Sequence, residues 1–182
     1  MSIKTVFLIA CLINANSAIA VCNNATPKTT PDQEFTIHTD GTVTHSTTGL
    51  MWMRCFLGQT WDGNRCSGTP ISYDWAASLQ IADSYRYAGY NDWRLPNKNE
   101  LVSIIEEACF RPAINTLVFP TIMVPNTPLL VRTSSTRAYD SYLRRWIVNF
   151  DGGEVDDDTT TYENSNGVDV TNFYVRLVRG GL

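Results

Sequence analysis

The sequence predicts an α+β fold in which two helices, early in the chain, are bracketed by antiparallel strands. Apolar residues at helical spacing are confined to two segments between residues 72 and 109. Strand-like segments lie on both sides of this region, and the later ones follow one another as a run, which is typical of α+β proteins. The 182 residues contain no internal repeat and no linker-like stretch, so residues 35–182 are predicted to be a single domain.

Residues 1–20 are predicted to be a signal peptide that precedes this domain. Lys4 supplies a positive charge, an apolar run extends from Thr5 to Ile13, and Ala18-Ile19-Ala20 fits a cleavage-site pattern. The run has about half of the ~20 residues that a membrane span needs, so we expect no membrane span. A lipoprotein cleavage box at Leu8-Ile9-Ala10-Cys11 is the alternative, but it leaves too short an apolar region before it. We expect the mature protein in the periplasm or outside the cell.

Four cysteines remain after this leader, and an even number in an exported protein predicts disulfides. These four cysteines can be paired in three ways. Cys55 and Cys66 bracket a compact loop that contains Gly and Asn, so we pair these two. Elimination then pairs Cys22 with Cys109, which would tie the predicted N-terminal arm, residues 21–34, to the end of the second helix. A four-cysteine zinc site is the alternative, and the lack of any Cys-x-x-Cys pair disfavours it.

A β-hairpin is predicted over residues 35–45, and its register decides whether the two histidines can act together. A three-residue loop that ends at a left-handed Gly41 keeps the apolar residues of both strands on one face, as strand register normally requires. A two-residue turn would instead place His38 and His45 on the same face. We expect the first register. Because these are the only histidines, neither a His-based metal site nor a catalytic histidine is expected.

The first helix is predicted to begin after Ser72, which we assign as its N-cap, with Asp74 in the first turn. Trp75, Leu79 and Ala82 follow at a spacing that places them on one face of a helix. We expect this face to pack on the sheet.

The second helix has the clearest sequence signals in the chain. A short strand over residues 92–95 leads into Asn97 and Glu100, which have the spacing of a capping box. Apolar residues on one helical face then continue as far as Ala108, so the helix is predicted to extend to the region of Cys109. Glu106 lies on the opposite face and is predicted to be exposed.

The remaining strands are predicted from short apolar segments between turn residues. They span residues 48–54, 129–136, 146–150 and 173–178. The last one ends almost at the C-terminus, and we expect it to close the sheet beside the first strand.

The sequence lacks the motifs of common catalytic sites. It has no G-x-S-x-G elbow, no H-E-x-x-H helix and no phosphate-binding loop, and its cysteines are assigned to disulfides. We therefore expect neither enzymatic activity nor a cofactor. Removal of Lys4 with the signal peptide changes the formal net charge from −4 to −5, which disfavours a general nucleic-acid binder.

The basic segment, residues 129–146, carries four arginines against a single acidic residue, Asp140. Guanidinium groups bind sulfate, carboxylate and phosphate through paired hydrogen bonds. Two tyrosines alternate with these arginines and are suited to stack on a ligand. The candidate ligand-binding residues are Arg132, Arg137, Tyr139, Tyr142, Arg144 and Arg145.

The acidic segment, residues 151–169, carries seven acidic residues and no lysine or arginine. The simplest interpretation is that both charged segments are solvated surface and partly neutralise each other. Calcium is the alternative ligand of this segment, because it binds about six to eight oxygen atoms. The EF-hand spacing is missing, and the side chains of Asp156, Asp157 and Asp158 cannot all point one way. No metal site is therefore predicted.

Five short motifs occur along the chain in a specific order. They are Thr48-Gly49-Leu50-Met51-Trp52, Asp92-Trp93-Arg94-Leu95-Pro96-Asn97 with Glu100-Leu101, Pro112-Ala113-Ile114-Asn115 with Phe119-Pro120, Ser134-Ser135-Thr136, and Val175-Arg176-Leu177-Val178-Arg179. As a set they make residues 35–182 resemble the C-terminal domain of the Legionella collagen-like adhesin. More distantly, the second and the last motif are similar to formylglycine-generating-enzyme and C-type-lectin-like domains.

This resemblance implies a C-type-lectin-like fold, in which two helices pack on a small twisted antiparallel sheet, and a binding function of the adhesin type. The adhesin binds sulfated glycosaminoglycans, so the resemblance implies that the basic segment contacts an acidic polysaccharide. The reactive cysteines of the formylglycine enzyme have no match here, so its activity is not implied. We therefore predict an exported bacterial binding module that recognises a polysaccharide or an envelope protein. The alternative is a structural or assembly component of an envelope complex with no small ligand.

Overall fold

The computed structural model describes residues 20–120, 128–139, 142–159 and 173–181, which form two larger sheets, two short β-ribbons and two α-helices. The helices are α1, Trp75–Ser84, and α2, Lys98–Val102, and a 3-10 helix spans Asp32–Glu34. The strands are β1 Val21–Cys22, β2 Phe35–Ile37, β3 Thr42–His45, β4 Leu50–Met53, β5 Thr60–Trp61, β6 Cys66–Ser67, β7 Ser72–Tyr73, β8 Cys109–Phe110, β9 Leu130–Tyr139, β10 Tyr142–Asn149, β11 Glu154–Asp157, β12 Phe173–Tyr174 and β13 Val178–Arg179.

The four-stranded sheet is antiparallel, with the strand order β13-β4-β3-β2. Its β2–β3 hairpin has the predicted register, because Gly41 adopts a left-handed φ of +84° and the apolar residues of the two strands pair. His45 lies on the apolar face, where its ring stacks on Phe35 with centroids 4.6 Å apart. His38 lies on the other face. The prediction that the two histidines point apart is confirmed.

The five-stranded sheet has the strand order β11-β10-β9-β12-β7 and is antiparallel except where β12 runs parallel to β9. Helix α1 packs on β9, and α2 packs on β9 and β10. The α+β class is therefore observed, but the described strands belong to several sheets instead of the single small sheet that was predicted. The main core lies between the two larger sheets and includes Val43, Trp52, Leu101, Phe119 and Val148.

The last predicted strand is divided between the two larger sheets, because β12 belongs to one and β13 to the other. β13 pairs with β4 and not with the first strand of the sheet, which corrects the prediction. Between β12 and β13, Arg176 is fully buried and donates to the backbone carbonyls of Met53 and Arg54. Its guanidinium lies 4.2 Å from the ring centroid of Phe56 and 4.8 Å from that of Phe119. Burial lowers the pKa of Arg176 to about 9, so the side chain is still charged at neutral pH and anchors the crossover.

The capping box at the start of α2 is confirmed. The Asn97 side chain accepts a hydrogen bond from the Glu100 N–H at 2.9 Å, and the Glu100 carboxylate accepts one from the Asn97 N–H at 2.8 Å. The helix nevertheless ends at Val102, several residues before the predicted end near Cys109. The apolar residues beyond that end are buried in turns, so their spacing indicated burial correctly but helix wrongly.

Two other elements begin or extend differently from the predictions. The N-cap of α1 is Asp74, whose carboxylate accepts a hydrogen bond from the Ala77 N–H at 2.8 Å, while Ser72 belongs to β7. The strand predicted over residues 92–95 is reduced to one bridge between Arg94 and Val178.

Glu106 was predicted to be exposed, and this prediction is wrong, because the residue is 1% exposed. Since α2 ends early, the chain turns and carries the carboxylate onto the N-terminal arm. There it accepts hydrogen bonds from the backbone N–H groups of Thr29, Thr30 and Ala108 at 3.0, 2.9 and 3.0 Å. Burial raises the pKa of Glu106, but these hydrogen bonds more than offset that effect and hold the pKa below its usual value.

We expect Glu106→Gln to lower the free energy of unfolding by about 2 kcal/mol, because the amide NH₂ cannot accept the backbone N–H groups that the carboxylate accepts. The effect depends on pH, because the pKa of Glu106 is lower in the folded chain than in the unfolded chain. The ionised carboxylate stabilises the fold above its unfolded pKa of about 4.3, and this contribution is lost as the pH falls through the folded pKa.

Urea unfolding followed by tryptophan fluorescence at neutral and acidic pH tests this prediction. The difference between wild type and Glu106→Gln is expected to shrink on acidification. The exposed neighbour supplies a matched control, Glu107→Gln, which should leave the unfolding midpoint unchanged. An equal loss of stability at both pH values would contradict the role given to the carboxylate.

Both predicted disulfides are present, Cys55–Cys66 and Cys22–Cys109. The second bridge joins β1 to β8, where Val21 pairs with Phe110, so the N-terminal arm is fixed to the turn that follows Glu106. The predicted signal peptide lies outside the described residues except for Ala20. Among the helices of the described ranges, none has the length and apolar character that a membrane span requires.

Candidate functional site

The four arginines of the basic segment are brought together on β9 and β10. Arg137 lies directly opposite Arg144 in the antiparallel ladder, and Arg145 lies opposite Thr136. The register then shifts between Arg145 and Ile147, so a β-bulge separates these three arginines from Arg132, which lies opposite Ile147.

Two aspartates from the acidic segment hold these arginines in place. One carboxylate oxygen of Asp157 accepts from Arg137 at 3.2 Å and from Arg144 at 3.3 Å. One oxygen of Asp158 lies 3.1 Å from Arg132 and 3.7 Å from Arg145. The two charged segments therefore neutralise each other in part, as predicted. The prediction that they are solvated surface is wrong for Arg132 and Asp157, which are 3% and 6% exposed.

The ionised state of Asp157 is stabilised within this cluster. The residue is 6% exposed, and its carboxylate also accepts hydrogen bonds from the hydroxyl and the backbone N–H of Thr159. Burial raises the pKa of Asp157, but the hydrogen bonds from Thr159 and Arg144 outweigh burial and keep the pKa below its usual value. The carboxylate is thus a fixed negative charge at neutral pH.

The arginines differ in how far a ligand can reach them. The side chain of Arg132 is 3% exposed, and its guanidinium lies 4.2 Å from the ring centroid of Phe173. The side chains of Arg137, Arg144 and Arg145 are 38%, 27% and 36% exposed. These three arginines therefore offer the accessible cationic surface of the segment.

A groove of about 810 Å³ opens beside this surface, between the start of α2 and the strands β9 and β10. Its lining includes the side chains of Lys98, Asn99, Ser135, Thr136 and Trp146. The Ser135 hydroxyl accepts a hydrogen bond from the Lys98 N–H at 2.9 Å and so joins the two walls of the groove. The groove presents hydroxyl, amide, ammonium and indole groups together.

Trp146 connects the groove to the arginines. The ammonium of Lys98 lies 4.9 Å from its ring centroid, and the guanidinium of Arg137 lies 5.0 Å from a centroid of the same indole. Such cation–π contacts fix the position of flexible cationic side chains. Within the described ranges, Lys98 has no carboxylate at ion-pair distance.

Sequence reasoning did not identify this groove. The sequence places Lys98 at the start of the second helix and Trp146 at the start of a strand, and neither position indicates a binding role. The two residues lie far apart in the chain, and no local pattern links them. The β-bulge next to Trp146 depends on the path of both strands and has no signal in the sequence.

The described part of the chain covers two of the predicted site features only in part. The side chains of Tyr139 and Tyr142 are not described, although their backbones pair across the ladder. Of the acidic segment, residues 160–169 are outside the described ranges, so only residues 151–159 of the calcium site considered above are described. Among the described residues, no group of three His, Cys, Asp or Glu side chains is arranged to hold a metal ion.

The family model described as the Lcl C-terminal domain matches residues 41–179. This range extends from β3 to β13 and contains all four arginines of the basic segment and every residue that lines the groove except Gly181. No curated protein matches the chain. No solved structure matches it.

Proposed function

The chain belongs to the Lcl C-terminal domain family, and on that premise we propose that it is an adhesin-related binding module that recognises an acidic polysaccharide. The observation that carries this proposal is the pair of cationic side chains held on Trp146 at the edge of the groove. Lys98 and Arg137 flank one indole, so two positive charges are positioned before any ligand binds. Prepositioned charges favour binding because less side-chain entropy is lost on association.

The chemistry of the surrounding residues supports a sugar ligand with anionic groups. Guanidinium and ammonium groups bind sulfate and carboxylate. The hydroxyls of Ser135 and Thr136 and the amide of Asn99 line the same groove and offer partners for sugar hydroxyls. In this proposal Arg137, Arg144 and Arg145 contact the anionic groups, and the buried Arg132 holds the strands. Tyr139 and Tyr142 retain their predicted role in stacking on the ligand.

Three further features belong to the same proposal. The order of helices and strands supports a C-type-lectin-like fold. The two disulfides support export to the periplasm or beyond the cell, where thiols are oxidised. We propose that the module is not an enzyme.

Binding to dextran sulfate and to unsubstituted dextran tests the proposal, because the two polymers differ only in their sulfate groups. We expect the oxidised protein to bind dextran sulfate and not dextran, with and without a calcium chelator. Lys98→Ala should weaken binding about tenfold, which corresponds to the loss of one charge-assisted contact. Lys28→Ala removes the same charge from an exposed position outside the groove and should leave the affinity unchanged.

The possible results separate the alternatives. Equal losses for Lys98→Ala and Lys28→Ala would show that net charge and not the groove determines binding. Binding that disappears with the chelator would indicate that calcium held by the acidic segment binds the ligand. No binding to either polymer would contradict the proposal and favour the assembly component of an envelope complex.

A further inference from the structure

Asp157 and Asp158 occupy the positions where an anionic ligand would meet the arginines. Each carboxylate places a single oxygen between two guanidinium groups that come from different strands, β9 and β10. Asp157 is 6% exposed, and the side chain of Asp158 is 10% exposed. The protein therefore carries its own anions inside the proposed binding surface.

We propose that Asp157 and Asp158 act as internal competitors that determine which anionic ligands the arginines accept. This inference rests on the proposed function. A carboxylate that is already fixed beside a guanidinium competes without the entropy cost that a free ligand pays on binding. A single sulfate or carboxylate is therefore a weak competitor.

A polymer with closely spaced anionic groups competes better, because its second contact forms at a high effective concentration. The two aspartates are consecutive, and Asp157 pairs with Arg137 and Arg144 while Asp158 pairs with Arg145 and the buried Arg132. A ligand that engages the accessible arginines beside both aspartates must therefore present at least two charges. The ligand class that this arrangement selects is a densely charged polyanion, in preference to a sparsely charged acidic polysaccharide.

The test compares dextran sulfate, which is densely charged, with carboxymethyl dextran of low substitution. Both affinities are measured for the oxidised protein without the predicted signal peptide. They are measured at one ionic strength, because salt screens exposed charges. We expect wild type to prefer dextran sulfate strongly. Asp157→Asn should bind carboxymethyl dextran about fivefold more tightly and so reduce this preference, because the arginines lose one neighbouring negative charge.

Glu154→Gln is the matched control, because it removes the same charge from an exposed position on β11, and no ion pair of this residue is observed among the described residues. It should leave the preference unchanged. Asp158→Asn removes the partner of Arg132 and Arg145 and is expected to act like Asp157→Asn. If Asp157→Asn does not fold, as judged by its thermal transition, the result for Asp158→Asn decides the question.

A preference that both aspartate variants leave unchanged would overturn the inference, and so would equal changes in Glu154→Gln and Asp157→Asn. Binding of carboxymethyl dextran that appears only in the aspartate variants, with dextran sulfate bound by wild type, would support it in its strongest form. If neither wild type nor the aspartate variants bind either polymer, both the inference and the proposed function fail. If wild type binds dextran sulfate but the variants do not differ from it, only the inference fails.

Discussion

Replacement of Cys22 and Cys109 by serine is expected to lower the free energy of unfolding by about 4–5 kcal/mol. The bridge joins residues separated by 87 positions, so it closes a very long loop and restricts the unfolded chain strongly. In the folded chain it fixes the N-terminal arm beside the turn that carries Glu106. Urea unfolding of the oxidised double variant measures the loss directly.

The second disulfide supplies the control for this prediction. Cys55 and Cys66 are separated by only 11 positions, so their replacement by serine should cost about 3 kcal/mol by the same chain-entropy argument. The longer bridge is therefore expected to contribute more to stability. The reverse order would show that the constraint on the unfolded chain does not dominate and that local packing around Cys55–Cys66 matters more.

Gly41→Ala is expected to lower the free energy of unfolding by about 2–4 kcal/mol, through backbone strain and overpacking together. Gly41 has a φ of +84°, which residues with a β-carbon rarely adopt. A β-carbon there would lie 2.2 Å from the hydroxyl of Tyr87 and 2.7 Å from the Cβ and Cγ atoms of Trp61. The Tyr87 hydroxyl can move, but the Trp61 atoms lie next to the backbone and cannot easily withdraw.

Gly89→Ala separates the two causes. Gly89 has a nearly identical φ of +81°, but no atom lies within 4 Å of a β-carbon built on it. This variant should therefore cost about 1 kcal/mol from strain alone. Thermal or urea unfolding of both variants measures the difference. Equal losses would mean that the added β-carbon meets no steric resistance from Trp61 and Tyr87.

Trp61 lies in the Cys55–Cys66 loop, and its contact with Gly41 shows how the first hairpin and the disulfide loop support each other. The indole N–H donates to the Thr39 carbonyl at 3.1 Å, and the Arg54 guanidinium lies 4.3 Å from the ring centroid. This tryptophan therefore packs on the hairpin turn. Trp146, the indole beside Lys98 and Arg137 at the proposed binding surface, lies in another part of the fold.

The candidate site was only partly predictable from its residues. The sequence identified the four arginines of the basic segment and the acidic segment that could neutralise them. It did not indicate that Asp157 and Asp158 are the partners, because several acidic residues follow one another and only the strand pairing selects among them. It also did not indicate Lys98, which reaches the site from α2.

The features that the sequence determined by itself are local ones. The capping box of Asn97 and Glu100 and the register of the β2–β3 hairpin were predicted correctly, because each depends on hydrogen bonds and burial within about ten residues. The disulfide pairing was also predicted, because one loop was short enough to leave a single remaining pair.

Only the tertiary structure decided the end of α2, the burial of Glu106 and the groove at Trp146. Helical spacing beyond Val102 shows which residues are buried, but a turn can bury the same residues as a helix. Glu106 is buried because the distant N-terminal arm supplies backbone N–H groups that satisfy its charge. Contacts between distant segments depend on the path of the whole chain, and no local pattern encodes them.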